Sequence, residues 1–132
     1  MASGNVELVR RAIKLFNRSE VEQALATTSE DVVMDWTNSI GPLKGVYTGR
    51  DEVMSFWQTF LEAWESVEWD PQEIFEVDDE RVIVVNTVRM QGRGSGVPVE
   101  ATGVQLWTIE GGLGRSVKLF QSKEEALEAV SG

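Results

Sequence analysis

Asp35 is the residue whose type and position most directly suggest catalytic chemistry. It stands between Met34 and Trp36, in a run of alternating residues from Asp31 to Thr37. A carboxylate packed against apolar walls takes up a proton more readily than one in water, so it could act as a general base beside a carbonyl group. Strand alternation places Asp35 opposite Met34 and Trp36, so it points to solvent unless a one-residue bulge reverses it. The sequence leaves both orientations open.

Aromatic side chains could supply the apolar surroundings that such a base needs. The chain contains five tryptophans and one tyrosine. Buried indole N–H groups require partners, which the lining of a pocket could provide. Trp36 and Trp107 are the best placed to face a ligand. Trp57 is expected mainly to pack in the core, and we predict that it also contacts the ligand. Tyr47 lies in a loop and either closes the mouth of a pocket or holds that loop in place.

The composition argues against several other kinds of chemistry. The 132 residues include no cysteine and no histidine, so disulfides, thiolate nucleophiles and the usual ligands of transition metals are missing, and we predict no metal and no cofactor. The formal net charge of -10 repels nucleic acids and anionic membrane surfaces. No stretch reaches the roughly 20 apolar residues of a membrane span. We therefore expect a cytoplasmic protein that binds neither nucleic acid nor membrane.

Helical periodicity defines the elements that would position these residues. Apolar residues at helical spacing predict a first helix over residues 5–17. After Gly49 they recur at i, i+3, i+4, i+7, i+8 and i+11, which predicts one long helix over residues 50–65 with a wide apolar stripe. Two S-x-x-E capping boxes predict the starts of a short second helix and of a last helix: Ser19 with Glu22, and Ser122 with Glu125.

The remaining segments are predicted to be strands and turns. Alternation predicts a first strand over residues 31–37, followed by a loop over residues 38–48 that contains Gly41 and Pro42. Segments rich in Val, Ile, Phe and Trp, separated by short turn clusters, predict four more strands over residues 67–77, 81–93, 97–109 and 113–120. Short turns force antiparallel neighbours. Pro71 cannot donate to a ladder, so its strand lies at an edge or bulges there.

This order of elements predicts an α+β fold, because the helices are segregated from a meander of four strands. The chain is short enough to form one domain over residues 1–132. A long apolar helix packed into a strongly curved antiparallel sheet makes a cone-shaped α+β barrel that is open at one end. The space at that end could hold a small apolar molecule.

Three short segments occur in an order that is typical of one family. They are Tyr47–Asp51 before the long helix, Leu106–Thr108 before a glycine turn, and Ala126–Ala129 in the last helix. With the order of elements, they make the chain resemble the SnoaL-like family of the nuclear transport factor 2-like superfamily, whose fold is also described as cystatin-like. That superfamily includes polyketide cyclases, ketosteroid isomerases and limonene epoxide hydrolases. The resemblance covers nearly the whole chain.

The resemblance directs attention to positions that work in relatives. Ketosteroid isomerases use a tyrosine on the first helix, an aspartate base at the end of the first strand and an aspartic acid on a late strand. These positions fall here on Ala12, on Trp36 beside Asp35, and on Gln105. Ala12 therefore provides no phenol, and Gln105 has an amide where the isomerases have a carboxylic acid. The epoxide hydrolases carry an R-x-D pair on a middle strand, which Arg89–Gln91 resembles with its acid replaced.

Gln105 is the second candidate catalytic residue that the resemblance implies. Its amide donors could hold a substrate oxygen and stabilise enolate charge, as an oxyanion hole does. The alternative is a hydrogen-bonded polar residue within the sheet.

The leading hypothesis is a protein that binds a small hydrophobic molecule, with metal-free isomerase or cyclase chemistry at Asp35 and Gln105 as its catalytic version. The rival is a non-catalytic module that binds a ligand without turnover or uses its open sheet face to dimerise. Because exposed sheet faces of this class commonly pair, we predict a homodimer.

Overall fold

The fold is taken from a computed structural model that describes residues 2–39 and 43–131. Gly41 and Pro42 of the predicted loop lie outside these described residues. The elements in chain order are α1 (Ala2–Asn17), α2 (Val21–Leu25), β1 (Thr28–Asp35), β2 (Val46–Thr48), α3 (Arg50–Ala63), β3 (Trp64–Glu76), β4 (Arg81–Gly92), β5 (Pro98–Glu110), β6 (Leu113–Phe120) and α4 (Lys123–Ser131).

The six strands form one sheet in the order β2-β1-β6-β5-β4-β3. Strands β3 to β6 make the predicted antiparallel meander. Strand β1 runs parallel to β6, so the sheet is mixed and the prediction of a wholly antiparallel sheet is wrong for this pair. Short turns fix an antiparallel direction only between strands that follow one another, and the whole meander separates β1 from β6. The predicted α+β class with a curved sheet is confirmed.

The two faces of the sheet carry separate apolar clusters. On β4, Val82, Val84 and Val88 join the large cluster that includes residues of α1 and α3. Ile83 and Val85 belong to a smaller cluster that includes Ala126 of α4 on the opposite face. Successive side chains of a strand point to opposite faces, so this alternation follows directly from strand geometry. The face toward α1, α2 and α3 is the one that bounds the candidate site.

The boundary between α3 and β3 differs from the prediction. The helix ends at Ala63 and Trp64 already has extended backbone, with φ of -124° and ψ of 142°, whereas the apolar periodicity predicted a helix up to residue 65. The guanidinium of Arg93, in the turn between β4 and β5, lies at this end of the helix. It donates hydrogen bonds of 2.9, 3.4 and 3.1 Å to three backbone carbonyls, those of Glu62, Leu61 and Trp64.

The edges of the sheet confirm one prediction and correct another. Pro71 lies on the edge strand β3, where the pairing with β4 shifts register between Pro71 and Glu73, as its missing N–H predicted. At the other edge, Val46–Thr48 pairs with β1 as the short strand β2, although a loop was predicted there. Three residues are too few for alternation to reveal a strand in the sequence.

The first predicted capping box is wrong and the second is confirmed. Ser19 has a φ of 64° and closes α1 instead, because its amide donates to Phe16 O at 2.9 Å, as in a Schellman motif. In the described part of the chain, no side chain caps the start of α2. At α4, Ser122 Oγ accepts the amide of Glu125 at 3.2 Å, and the Glu125 carboxylate accepts the amide of Gln121 at 3.1 Å.

Arg89 lies on the same face of the sheet as α4, in a part that α4 does not cover, and a charged cluster surrounds it there. Its guanidinium lies 2.9 Å from Asp70, 3.5 Å from Glu68 and 3.3 Å from Glu100. The hydrogen bond that Arg89 donates to Asp70 contributes most to raising the pKa of Arg89 above its usual value. A homodimer through this face stays a prediction, as does the cytoplasmic location. Within the described ranges, no helix has the length and apolar character needed to cross a membrane.

Asn17 fastens the end of α1 to β3, and its replacement by alanine should destabilise the protein. Its Oδ1 accepts the Trp69 amide at 2.9 Å, and its Nδ2 donates to the Trp69 carbonyl at 2.7 Å. Loss of both bonds should lower the free energy of unfolding by about 1–3 kcal/mol, measured by urea denaturation. Asn5→Ala is the matched control, since it removes one exposed bond from α1 to Asp79 O. Equal losses in the two variants would contradict this role of Asn17.

Candidate functional site

A cavity of about 80 Å³ lies between the sheet and the helices α1, α2 and α3. Its walls come from these three helices and from strands β1, β3, β5 and β6. Nearly all of the lining is apolar, and the polar exceptions among the described residues are Thr28, Gln105 and the indole N–H groups of four tryptophans. A largely apolar space of this kind is suited to an apolar guest.

Four tryptophans form the largest part of the wall: Trp36, Trp57, Trp69 and Trp107, exposed by 4, 8, 6 and 6%. The ring centroids of Trp36 and Trp57 are 5.6 Å apart at an interplanar angle of 80°. Trp69 lies 6.4 Å from each of these two rings. Edge-to-face contacts of this kind are favourable, and they hold the wall in one arrangement.

Glycines on two other strands, β5 and β6, make room for two of these rings. A Cβ atom at Gly103 would stand 3.0 Å from Cζ3 of Trp69 and 3.1 Å from Cγ2 of Val88. At Gly114 it would stand 3.0 Å from Cζ3 of Trp107. These distances are shorter than ordinary van der Waals contact between carbon atoms. Each ring therefore lies directly against the backbone of another strand.

Gln105 presents an amide N–H₂ group at the cavity. The residue is 7% exposed, and its Oε1 accepts the Trp107 indole N–H at 3.1 Å. An indole nitrogen can only donate, so this contact fixes which end of the amide is the oxygen. Among the described residues, Gln105 Nε2 has no hydrogen-bond acceptor. The donors predicted for Gln105 are thus placed where a ligand oxygen could accept from them.

The structure does not bring Asp35 to this cavity. Of the two orientations left open by the sequence, it shows the outward one, because β1 has no bulge between Val33 and Asp35. The Asp35 carboxylate accepts hydrogen bonds from the Thr37 amide and hydroxyl at 3.1 and 2.7 Å and lies 3.8 Å from Lys118 Nζ. Among residues 2–39 and 43–131, no Asp or Glu lines the cavity, and no three His, Cys, Asp or Glu are grouped as metal ligands.

The aromatic predictions meet different outcomes. Trp36, Trp57 and Trp107 line the cavity, whereas Tyr47 does not. The Tyr47 hydroxyl donates to Leu43 O at 2.7 Å and its ring packs on Phe56, with centroids 4.8 Å apart, so Tyr47 holds its own loop in place.

Sequence reasoning missed Trp69 as a cavity residue. The alternation of Val67 and Trp69 with the acidic Glu68 and Asp70 is the signal that could have found it, since it puts Trp69 on the inner face of β3.

Several solved structures have the same fold. An NTF2-like protein of unknown function from Burkholderia pseudomallei is 24% identical, with 98% of both chains covered and a TM-score of 0.78. The Mycobacterium tuberculosis protein RV0760c, in complex with estradiol-17beta-hemisuccinate, is 17% identical over 92% of this chain and 95% of its own, with a TM-score of 0.77. The epoxide hydrolase/cyclase-like enzyme SalBIII, which acts in pyran ring formation in polyether salinomycin, is 18% identical over 89 and 90%, with a TM-score of 0.73. Identities of this size establish a shared fold and not a shared activity.

The sequence itself matches one family. The search of curated proteins found no match. The SnoaL-like domain, in contrast, matches residues 9–117, which include α2, α3 and all six strands except the last three residues of β6. This agrees with the resemblance inferred from the order of the three sequence segments. Because the match spans most of the chain, the protein belongs to the SnoaL-like domain family.

Proposed function

We propose that the protein binds a small, largely apolar molecule in this cavity, and that an oxygen of the ligand accepts a hydrogen bond from Gln105. The observation that carries the proposal is an amide donor that has no acceptor among the described residues, in a largely apolar, tryptophan-walled space. A ligand that brings an acceptor to this donor gains both apolar burial and a hydrogen bond. A hydrocarbon of the same shape gains only the first.

The volume of the cavity limits the size of the ligand. Sites for drug-sized molecules usually occupy about 300–1,000 Å³, and an engineered apolar cavity of about 150 Å³ accepts benzene. At about 80 Å³, this cavity suits a compact ligand of about one ring, with modest movement of the walls. A molecule as large as the steroid derivative bound to the mycobacterial relative would require the helices to move away from the sheet.

The geometry supports binding better than turnover. Isomerase or cyclase chemistry at Asp35 and Gln105 would need a carboxylate beside the substrate carbon that gives up its proton. Asp35 instead faces away from the cavity and is engaged by Thr37 and Lys118. A catalytic role for Asp35 would require β1 to shift its register by one residue, which would also turn Met34 and Trp36 out of the core.

Gln105→Leu should weaken the binding of a ketone without weakening that of a hydrocarbon. Cyclohexanone and methylenecyclohexane have nearly the same shape, and only the ketone has an oxygen that can accept a bond. The variant should lower affinity for cyclohexanone about tenfold, equivalent to about 1.4 kcal/mol, since it removes one buried hydrogen bond. Titrations can be followed by the tryptophan indole N–H signals in two-dimensional NMR spectra of the ¹⁵N-labelled protein.

The exposed residue Gln58 of α3 provides the control. Gln58→Leu makes the same chemical change away from the cavity and should leave both affinities unchanged. If neither compound moved the indole signals of the unaltered protein, the proposed function would be wrong. If Gln105→Leu weakened both compounds equally, the cavity would bind ligands but the amide would not select for an oxygen.

A further inference from the structure

A surface groove borders the outer side of the cavity wall. The groove lies between α1 and β3 and is about 730 Å³ in volume. Ile13 and Trp69 line both the groove and the cavity. Side chains that border both spaces form the partition between them, so a ligand passing between Ile13 and Trp69 would have one end in each.

The α1 side of the groove holds a concentration of unpaired positive charge. Four of the twelve basic residues of this acidic chain lie between positions 10 and 18, and all four are exposed and line the groove: Arg10, Arg11, Lys14 and Arg18. Within the described part of the chain, the last three make no ion pair, and Arg10 has only a 3.8 Å contact with Glu7. Most of the other basic residues contact an acid or a backbone carbonyl.

Helix geometry puts two of these cations next to the partition. Arg10 and Lys14 are three residues before and one residue after Ile13, and Lys14 is four residues after Arg10, so the two cations are neighbours along the flank of α1 beside Ile13. Among the described residues, three acids line the groove: Glu7 on α1, and Glu68 and Asp70 on the opposite wall, which Arg89 contacts at 3.5 and 2.9 Å. The described lining therefore carries four cations against three carboxylates, and an anion in the groove would meet a small excess of positive charge on the α1 side.

Trp69 supplies a second, independent indication of a missing ligand atom. The residue is 6% exposed, and among the described residues its enclosed indole Nε1 has no hydrogen-bond partner. A buried N–H without an acceptor is rare in proteins, because its desolvation is not compensated. Trp69 belongs to the partition, so an oxygen that entered there could accept this hydrogen bond only once the ring had moved from its place against Gly103.

We propose that the ligand is an amphipathic anion whose apolar end occupies the cavity and whose anionic group lies in the groove beside Arg10 and Lys14. This inference rests on the proposed function, because it assumes that the cavity is the binding site. It adds the charge of the ligand and the direction in which it lies. Attraction at this exposed position is weakened by salt, so the effect is greatest at low ionic strength.

The test compares 3-phenylpropionate with its neutral amide, 3-phenylpropionamide, on the intact protein at low ionic strength. The two probes share a ring and a carbonyl oxygen, so they differ mainly in charge. The carboxylate should bind about tenfold more tightly than the amide. The double variant Arg10→Gln/Lys14→Gln should remove about that tenfold advantage and leave the affinity for the amide unchanged. Lys44→Gln, which removes an exposed cation remote from the groove, should leave both affinities unchanged.

Other outcomes overturn the inference in distinguishable ways. Equal binding of carboxylate and amide by the unaltered protein would show that the cations do not select the ligand. An equal loss for both probes in the double variant would assign Arg10 and Lys14 to folding. If cyclohexanone binds but neither phenylpropionate nor its amide does, the anionic ligand is ruled out and the cavity remains a binding site. If none of the three probes binds, the proposed function fails as well.

Discussion

Replacement of Trp57 by alanine is expected to lower the free energy of unfolding by about 3–5 kcal/mol, the range for deletion of a large buried aromatic side chain. Trp57 is only 8% exposed, and it stands at the centre of the aromatic core. Its ring lies 4.7 to 6.4 Å, between centroids, from five other rings: Phe16, Trp36, Phe56, Phe60 and Trp69. Removing it leaves a void that these rings can fill only in part.

Urea denaturation followed by circular dichroism measures this loss directly, without relying on the fluorescence of the deleted residue. Trp64→Ala is the matched control, because Trp64 is the same residue type, is half-buried at the start of β3 and does not line the cavity. Its loss should be less than half as large. Trp57→Ala, which changes the cavity wall, should also lose affinity for cyclohexanone. Equal destabilisation by the two substitutions would show that Trp57 is not central to the core.

Gly103→Val is expected to destabilise the protein by about 1–3 kcal/mol, the usual effect of overpacking a core, although valine favours strands more than glycine does. Even a single Cβ atom at this position would lie 3.0 Å from Trp69 and 3.1 Å from Val88, and the two methyl groups of valine would come closer still. Trp69 would have to leave its place against β5. Since Trp69 is also part of the cavity wall, ligand affinity should fall together with stability.

Gly4→Val is the control for Gly103→Val. A Cβ atom at Gly4, near the start of α1, has no heavy atom of the described residues within 4 Å, so the same substitution meets no steric obstacle from them. Urea denaturation should show a change of less than about 0.5 kcal/mol for this surface position. A Gly103→Val protein as stable as the Gly4→Val protein would mean that the sheet yields easily around Trp69.

Local sequence patterns predicted most of the elements because each pattern reports directly on burial. The apolar stripe from Val53 to Phe60 identified α3, since a helix that covers a sheet must be apolar on one side. Alternation identified the faces of β1 but left the orientation of Asp35 open, because a one-residue bulge would have reversed it. The parallel pairing of β1 with β6 could not be predicted in this way, because it depends on which distant segment completes the sheet.

The candidate site was predictable in part. Gln105 was found by the resemblance to a family, and three of the four predicted aromatic contacts line the cavity. The orientation of the Gln105 amide depends on the conformations of two side chains of β5, Gln105 and Trp107, and the unpaired donor on Trp69 depends on what packs around its ring, so neither is visible in the sequence. Ser19 illustrates the same limit, because S-x-x-E describes both a helix start and, here, the left-handed residue that ends the preceding helix.

Because Arg93 contacts the end of α3, the turn between β4 and β5 cannot be replaced by another loop without affecting that helix. Arg93 follows the last residue of β4. Its guanidinium donates hydrogen bonds to backbone carbonyls at the C-terminal end of α3, the helix that contains Trp57. A loop graft or deletion that displaced this arginine would loosen the far end of that helix. Efforts to re-engineer this family member should therefore treat the hairpin tip and α3 as one module, and place new sequence elsewhere.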